Sequence, residues 1–292
     1  MHPWKAIADR IQGVIGASFR PAAPEPVSGG CINDAMVLSD GGQHFFVKLN
    51  RGDGVRMYEA EAEGLGAIAA TRTVRVPAVI DFGVVEDTAY LVLEYLQPGG
   101  RGGDEALGEA LAAMHRHTAT QFGWHRDNTI GATPQRNAWH QDWLGFLRER
   151  RIGYLLDRAC ALGGDARLRD LGDELLHRLP ELFGGYTPVP SLLHGDLWGG
   201  NWATLASGEP AVFDPAVYYG DREADLAMTE LFGGFSPRFY AAYRAAWPMD
   251  AGYTQRKDLY NLYHVFNHFL LFGGGYARQA QAMASRLLAQ LR

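Results

Sequence analysis

Cysteine is scarce in this 292-residue sequence, and long apolar runs are missing from it. The two cysteines are too few for a disulfide framework or a four-cysteine zinc site, so the reducing cytoplasm is the expected location. Because no run of about 18 or more apolar residues occurs, neither a membrane-spanning helix nor a membrane partner is predicted.

Charge of one sign is not in excess either. The 27 basic and 33 acidic residues give a formal net charge of −6, which argues against a nucleic-acid binder that depends on phosphate neutralisation. Apolar residues at 47% and charged residues at 21% are ordinary for a folded protein, so disorder is excluded for the bulk of the chain. The one excess is glycine, with 36 residues.

The chain divides into a strand-rich first third and a helical remainder. The first third contains one predicted helix over 55–70, and its predicted strands lie over 27–40, 44–50, 74–82 and 90–94. Further helices are predicted at about 104–117, 139–161, 167–183, 222–232, 236–246, 256–272 and 276–291. With the glycine-rich stretch 97–103 as a linker, we expect an α+β chain with a small N-terminal lobe at 1–96 and a larger, mainly helical lobe at 97–292.

The densest chemical pattern is HGDLWGGN at 194–201, followed by an aspartate at the end of an apolar stretch. Asp196 and Asn201 are five positions apart on a predicted loop, and Asp214 follows. One carboxylate can take a hydroxyl proton, while an amide oxygen and a second carboxylate can hold Mg²⁺, which prefers hard oxygen ligands. This order matches kinase-type phosphoryl transfer, which predicts Asp196 as the catalytic base and Asn201 and Asp214 as metal ligands.

A kinase also needs a lysine on its third strand and a glutamate from the following helix. Lys48 supplies the lysine in the apolar strand FFVK, where burial demands a partner of opposite charge. Three glutamates in the next predicted helix are available, but Glu61 alone shares the apolar face with Met57 and Leu65. We therefore predict a buried pair of Lys48 and Glu61 that positions nucleotide phosphates.

Backbone contacts to a nucleotide are predicted from position more than from residue type. Gly29 and Gly30 lie between two short strands ahead of Lys48, where a glycine loop can present N–H groups to phosphates. At the lobe junction, the carbonyl of Glu94 and the N–H of Leu96 are placed to bind adenine.

Three other residues have distinct expected roles. Asp225 follows the metal aspartate and is expected to accept hydrogen bonds from the catalytic-loop backbone, which is a structural role. His268 is a candidate substrate contact. Cys31 is a candidate for redox sensitivity, because a thiol on a glycine loop would be exposed to oxidants.

These residues together resemble the fructosamine kinase (ketosamine-3-kinase) family, which belongs to the wider aminoglycoside and choline kinase group with a protein-kinase-like fold. The resemblance runs from about residue 4 to residue 290. Besides 194–201, it is carried by SGGCIN at 28–33, DNTIGATPQRNAW at 127–139, RRIGYLL at 150–156, FDPAVYYGDREADLAM at 213–228 and NHFLLFGGGY at 267–276. The stretch 127–139 and the tryptophan inside the catalytic loop are more specific than the general kinase motifs.

The resemblance implies a two-lobed protein-kinase-like fold that uses ATP and Mg²⁺. It implies phosphorylation of the C3 hydroxyl of a ketosamine, a sugar–amine adduct formed by glycation, after which the unstable product breaks down and restores the amine. The substrate would be a free ribulosamine or fructosamine, or a glycated lysine on a protein. Trp198 would line the sugar–amine site, with Asn267 and His268 as looser candidates.

Two alternatives remain open from the sequence. Within the same fold, the chain could be an aminoglycoside- or choline-type kinase for another small molecule. From a different class, it could be an ATP-binding pseudokinase that acts as a scaffold, although every predicted catalytic position is filled.

Overall fold

Five antiparallel strands form the main sheet in the first third of the chain. The computed structural model describes residues 3–27, 34–163 and 165–291. The strands are β1 (Glu25–Pro26), β2 (Asp34–Ser39), β3 (His44–Arg51), β4 (Val79–Val85) and β5 (Thr88–Glu94). They are ordered β1-β2-β3-β5-β4, so β2, β3 and β5 are flanked on both sides.

Helices α1 (Trp4–Ile15) and α2 (Val55–Thr71) pack against this sheet. Ile7 and Ile11 of α1 pack in one apolar cluster with Phe45 and Val47 of β3. Because alternate residues of a strand point to opposite faces, Lys48 points away from this cluster. The predicted helix over 55–70 is confirmed as α2.

The strand predicted over 74–82 begins later, at Val79. Pro77 has no N–H group to donate to a strand ladder, and the regular pairing with β5 begins beyond it. Instead, the carbonyl of Arg75 accepts a hydrogen bond of 2.9 Å from the N–H of Val212. The segment before β4 therefore joins a small hairpin formed by β9 (Trp202–Thr204) and β10 (Pro210–Val212).

The described residues form two compact units. The first contains those of Met1–Gly103 together with Gly200–Pro215, and the second contains those of Asp104–Gly199 together with Ala216–Arg292. The proposed lobe boundary near residue 96 stays a prediction.

The second unit is mainly helical, as expected. Its helices are α3 (Asp104–His115), α4 (Trp143–Phe146), α5 (Gly153–Ala161), α6 (Ala166–Phe183), α7 (Glu223–Leu231), α8 (Pro237–Ala246), α9 (Tyr253–Phe272) and α10 (Tyr276–Gln290). Helix α9 has buried residues around most of its circumference, and it packs against α5, α7 and α10. None of the helices in the described ranges is both long enough and apolar enough to cross a membrane.

Two local features of the second unit differ from the sequence prediction. The helix predicted from residue 139 begins at Trp143, because the Asp142 side chain caps it by accepting the N–H of Gly145 at 2.7 Å. It then passes through a π-helical turn, Leu147–Ile152, before α5. A short hairpin of β6 (Asn128–Ile130) and β7 (Thr133–Gln135) was not predicted.

Two further short strands frame the loop that contains Asp196. Strand β8 (Ser191–Leu193) pairs antiparallel with β11 (Tyr218–Gly220), and both strands are largely buried. Asp196 follows β8 after two residues, so the sheet fixes the start of the loop.

Candidate active site

In the first unit, Lys48 is held between two carboxylates. Its Nζ donates hydrogen bonds of 2.6 Å to Oε1 of Glu61 and 2.6 Å to Oδ1 of Asp214. The lysine comes from β3, Glu61 from α2, and Asp214 from the segment after β10. The structure therefore brings together the predicted lysine–glutamate pair and one predicted metal ligand.

Burial and charge compete at this cluster. Burial lowers the pKa of Lys48, but the carboxylates of Asp214 and Glu61 outweigh it, so the pKa lies above its usual value and the ammonium stays charged. Burial also raises the pKa of Glu61; Lys48 lowers it and Asp214 raises it further. The net effect raises the pKa of Glu61, and the charge of Lys48 offsets part of the cost of burying that carboxylate.

Asn201 and Asp214 lie at the open end of the β9–β10 hairpin. The ladder pairs Val212 with Trp202 and continues with a hydrogen bond of 3.0 Å from the N–H of Phe213 to the carbonyl of Asn201. Asp214 has a φ of 59°, in the left-handed region that residues with a Cβ rarely adopt. This turn sets the direction in which its carboxylate leaves the strand.

The donor set at this hairpin end fits Mg²⁺. Asn201 contributes an amide, and the Asp214 side chain is 40% exposed although one of its oxygens binds Lys48. No group of three or more His, Cys, Asp or Glu residues that could hold a metal was found within the described ranges. One carboxylate and one amide suit a cation that takes the rest of its shell from phosphates and water.

Glu94 is the last residue of β5, and its side chain bonds to neighbouring residues of the first unit. Its carboxylate accepts hydrogen bonds from the Arg75 guanidinium and, at 3.0 Å, from the N–H of Ala78. Leu96 is half-buried two residues beyond the strand. Their predicted backbone contacts to adenine stay predictions.

The remaining predictions for the nucleotide loop lie outside the described residues. This applies to Gly29 and Gly30 as phosphate-binding positions, and to Cys31 as a redox site.

In the second unit, the loop after β8 is built around a glycine that no other residue can replace without displacement. Gly195 has a φ of 83°, and a Cβ at that position would lie 2.1 Å from the carbonyl oxygen of Ala216. Asp196, the next residue, is half-buried, and its N–H donates to Nδ1 of His194 at 3.3 Å. His194 therefore braces the loop from within.

Asp225 holds the same loop from the start of α7. Its carboxylate accepts hydrogen bonds from the N–H groups of His194 at 2.7 Å and Gly195 at 2.8 Å, and it contacts Nε2 of His115 at 3.1 Å. Burial opposes ionisation, but the hydrogen bond with His115 and the other contacts lower the pKa of Asp225 overall. The expectation that Asp225 accepts backbone hydrogen bonds from the loop is confirmed.

The predicted substrate contacts have different environments. Trp198 is 37% exposed, whereas Asn267 is buried and donates to the carbonyl of Ile130 at 3.4 Å. His268 is half-buried, donates from Nδ1 to the carbonyl of His264 at 2.8 Å and packs on Phe232. The hydrogen bonds of Asn267 and His268 thus go to Ile130 and His264 and not to Trp198.

Sequence reasoning missed a set of buried polar side chains that bond to the segment between Asp214 and β11. Asn128 and Gln135 donate to the carbonyls of Val217 and Ala216 at 2.9 and 3.0 Å. The available signal was the polar composition of the stretch 127–139, but its partners lie more than eighty positions away.

Comparison with known proteins assigns the family. The family model described as Fructosamine kinase matches residues 3–290. Among curated relatives, the chain is 49% identical to a protein named "Probable ketoamine kinase" from Synechocystis, over 98% of this chain and 97% of that protein. It is 44% identical to the chloroplastic protein-ribulosamine 3-kinase of Arabidopsis thaliana, over 91% of this chain and 82% of that one.

Solved structures agree on the fold. A structure from Haemophilus somnus, described as a fructosamine-3-kinase, has a TM-score of 0.89 at 29% identity and covers 98% of this chain and 97% of its own. The choline kinase LicA of Streptococcus pneumoniae has a TM-score of 0.64 at 15% identity, with 99% and 100% coverage, and at that identity supports the kinase-like fold alone. The predicted α+β, protein-kinase-like fold is confirmed, and the chain belongs to the fructosamine kinase family.

Proposed function

We propose that this chain is an ATP-dependent kinase that phosphorylates the C3 hydroxyl of ketosamines. The observation that carries the proposal is its similarity, along nearly its whole length, to proteins named ketoamine kinase and protein-ribulosamine 3-kinase. Phosphorylation at this position makes the adduct unstable, so the activity would release the amine and reverse glycation.

Asp196 is the proposed base. Gly195 and Asp225 fix the backbone that precedes it, which limits the positions that its carboxylate can take. In that position Asp196 orients the sugar hydroxyl and accepts its proton as the phosphoryl group is transferred.

Lys48 and Glu61 are the proposed phosphate-positioning pair, and Asn201 and Asp214 are the proposed Mg²⁺ ligands. Mg²⁺, when bound, offsets negative charge on the nucleotide phosphates. Asp214 would link the two functions, because one of its oxygens accepts from Lys48 while its carboxylate stays 40% exposed.

The proposed substrate side of the site contains Trp198. An exposed indole face suits both the C–H surface of a sugar and a cationic amine. Asn267 and His268 are secondary candidates for contacts to the sugar or the amine. The proposed substrates are free ketosamines and proteins that carry the same ketosamine group on a glycated lysine.

The test is turnover of ATP by the purified chain with Mg²⁺ and one acceptor at a time: ribuloselysine, fructoselysine, choline or kanamycin. We expect turnover with the ketosamines, formation of a 3-phosphate by phosphorus NMR, and a loss of at least roughly 100-fold in kcat for Asp196→Asn. Asp170→Asn is the matched control, because Asp170 is exposed on α6.

Each alternative has its own result. Turnover on choline or kanamycin alone would keep the kinase chemistry and reject the ketosamine. ATP binding without turnover on any acceptor would favour a scaffold. Normal turnover by Asp196→Asn would remove Asp196 from the role of base.

A further inference from the structure

The stretch 127–139 buries amide side chains that a surface hairpin does not need. It forms the β6–β7 hairpin, and the exposed fractions of Asn128, Gln135 and Asn137 are 8%, 1% and 0%. Burying a polar amide is costly unless each of its groups finds a hydrogen-bond partner. The partners of these amides therefore show what the hairpin holds.

Gln135 is the centre of this arrangement. Its Nε2 donates to the carbonyl of Ala216 at 3.0 Å and to Oδ1 of Asn128 at 2.8 Å. Its Oε1 accepts the hydroxyl hydrogen of Tyr263, from helix α9, at 2.7 Å. Because both ends of the amide are engaged, its orientation is determined.

Ala216 connects Gln135 to the loop that carries Asp196. The N–H of Ala216 donates to the carbonyl of His194 at 2.8 Å. Its carbonyl oxygen, which accepts from Gln135, is the atom that a Cβ on Gly195 would meet at 2.1 Å. A shift of Ala216 would therefore move the two residues that precede Asp196.

A second set of contacts locks the hairpin in place. Nδ2 of Asn137 donates to Oδ1 of Asn128 at 2.8 Å, and Oδ1 of Asn137 accepts from the buried guanidinium of Arg151 at 2.8 Å. Arg151 belongs to the π-helical turn and lies over the ring of Tyr218, in β11, at 4.0 Å. π-Helical turns are frequent at functional sites, and this one directs an arginine into the network.

We infer that Gln135 is a positioning residue for the reaction, which orients Asp196 through Ala216 and the backbone of His194 and Gly195. The inference rests on the proposed function, because it needs Asp196 as the base. Misplacement of a catalytic group by about 1 Å can lower the rate on the order of 100-fold. A network that limits the movement of the loop is therefore expected to raise kcat.

The test compares Gln135→Met with Gln279→Met, a matched change on the exposed face of α10. We expect Gln135→Met to lower kcat roughly 10- to 100-fold while the KM for ATP changes by less than about two-fold. In an Asp196→Asn background, Gln135→Met should cause no further loss, because Gln135 acts through Asp196. An equal loss in both backgrounds would contradict the inference.

A second readout does not need turnover. Hydrogen exchange of the peptide covering 191–199 should be faster in Gln135→Met than in wild type and unchanged in Gln279→Met. If no ketosamine is turned over but exchange is faster, the proposed function fails and the positioning of the loop stands. Unchanged exchange would overturn the positioning whatever the substrate.

Tyr263→Phe covers the case in which Gln135→Met does not fold. It removes only the hydroxyl that orients the Gln135 amide and leaves the ring in place. We expect a smaller loss of kcat of the same type, with faster exchange of the loop. Wild-type kcat and exchange in Tyr263→Phe would contradict the inference.

Discussion

At the scale of single residues, Lys48 is the cation that pairs with two carboxylates in the first unit. Its ammonium is the cation that both Glu61 and Asp214 contact, and its own exposure is 5%. Removing one partner of a buried ion pair is more costly than replacing the pair, because the remaining charge stays in an apolar environment.

Lys48→Met is therefore expected to lower the free energy of unfolding by about 3 kcal/mol. Adding Glu61→Gln should recover part of that loss, because the double variant no longer buries an unpaired carboxylate. Urea unfolding of wild type, both single variants and the double variant measures this coupling. Strictly additive losses would contradict it.

The Lys48→Met variant should also raise the KM for ATP at least about ten-fold, because it removes the cation proposed to position the phosphates.

At the scale of secondary-structure elements, the two units use glycine inside helices for different reasons. Gly66 in α2 is exposed, and a Cβ there would have no atom within 4 Å. Gly108 in α3 faces α8, where a Cβ would lie 2.4 Å from the carbonyl oxygen of Phe239. The close packing of α3 on α8 requires glycine at position 108, whereas α2 has room for a larger residue at position 66.

The same Gly→Ala change should therefore have opposite effects in these helices. Gly66→Ala should stabilise the chain by roughly 0.5 to 1 kcal/mol, because alanine has the higher helix propensity. Gly108→Ala should destabilise it by about 2 kcal/mol or more, since α3 and α8 must move apart. Thermal unfolding of the two variants beside wild type distinguishes them; two shifts of the same sign would show that packing at Gly108 is not limiting.

At the scale of the whole molecule, acid stability depends on a histidine enclosed in the second unit. The pKa of His264 is lowered to about 3. Burial is the main cause, and repulsion from His268 is the second. In the unfolded chain the same group titrates near its ordinary value of 6.5. Below that pH the unfolded chain takes up a proton that the folded chain does not, so stability falls as the pH falls from about 6.5 towards 3.

At pH 4.5 this difference is expected to amount to roughly 2 to 3 kcal/mol. Urea unfolding midpoints at pH 7 and pH 4.5 measure it, and His264→Asn should lose less stability than wild type over that interval. His177→Asn, on the exposed side of α6, is the matched control and should keep the wild-type pH dependence. An unchanged pH dependence in His264→Asn would show that His264 is protonated in the folded chain.

Most of the architecture could be predicted because its signals are local. Apolar periodicity located α2 and the later helices, and helical geometry selected Glu61 among three glutamates as the partner of Lys48. The errors concern residues that set where an element begins. Strand β4 begins after Pro77, and the helix capped by Asp142 begins later than predicted. A short hairpin such as β6–β7 has too few residues for a periodic pattern, so it was not predicted.

The order of the catalytic motifs and the family resemblance could be read in the chain, because side-chain type and spacing along one loop identify a chemistry. The network around Gln135 could not, because it joins an amide to a backbone carbonyl 81 positions away. Every residue has a carbonyl, so the acceptor has no signature in the sequence. Folding alone decides which carbonyl meets the buried amide, and through it how the backbone beside Asp196 is held.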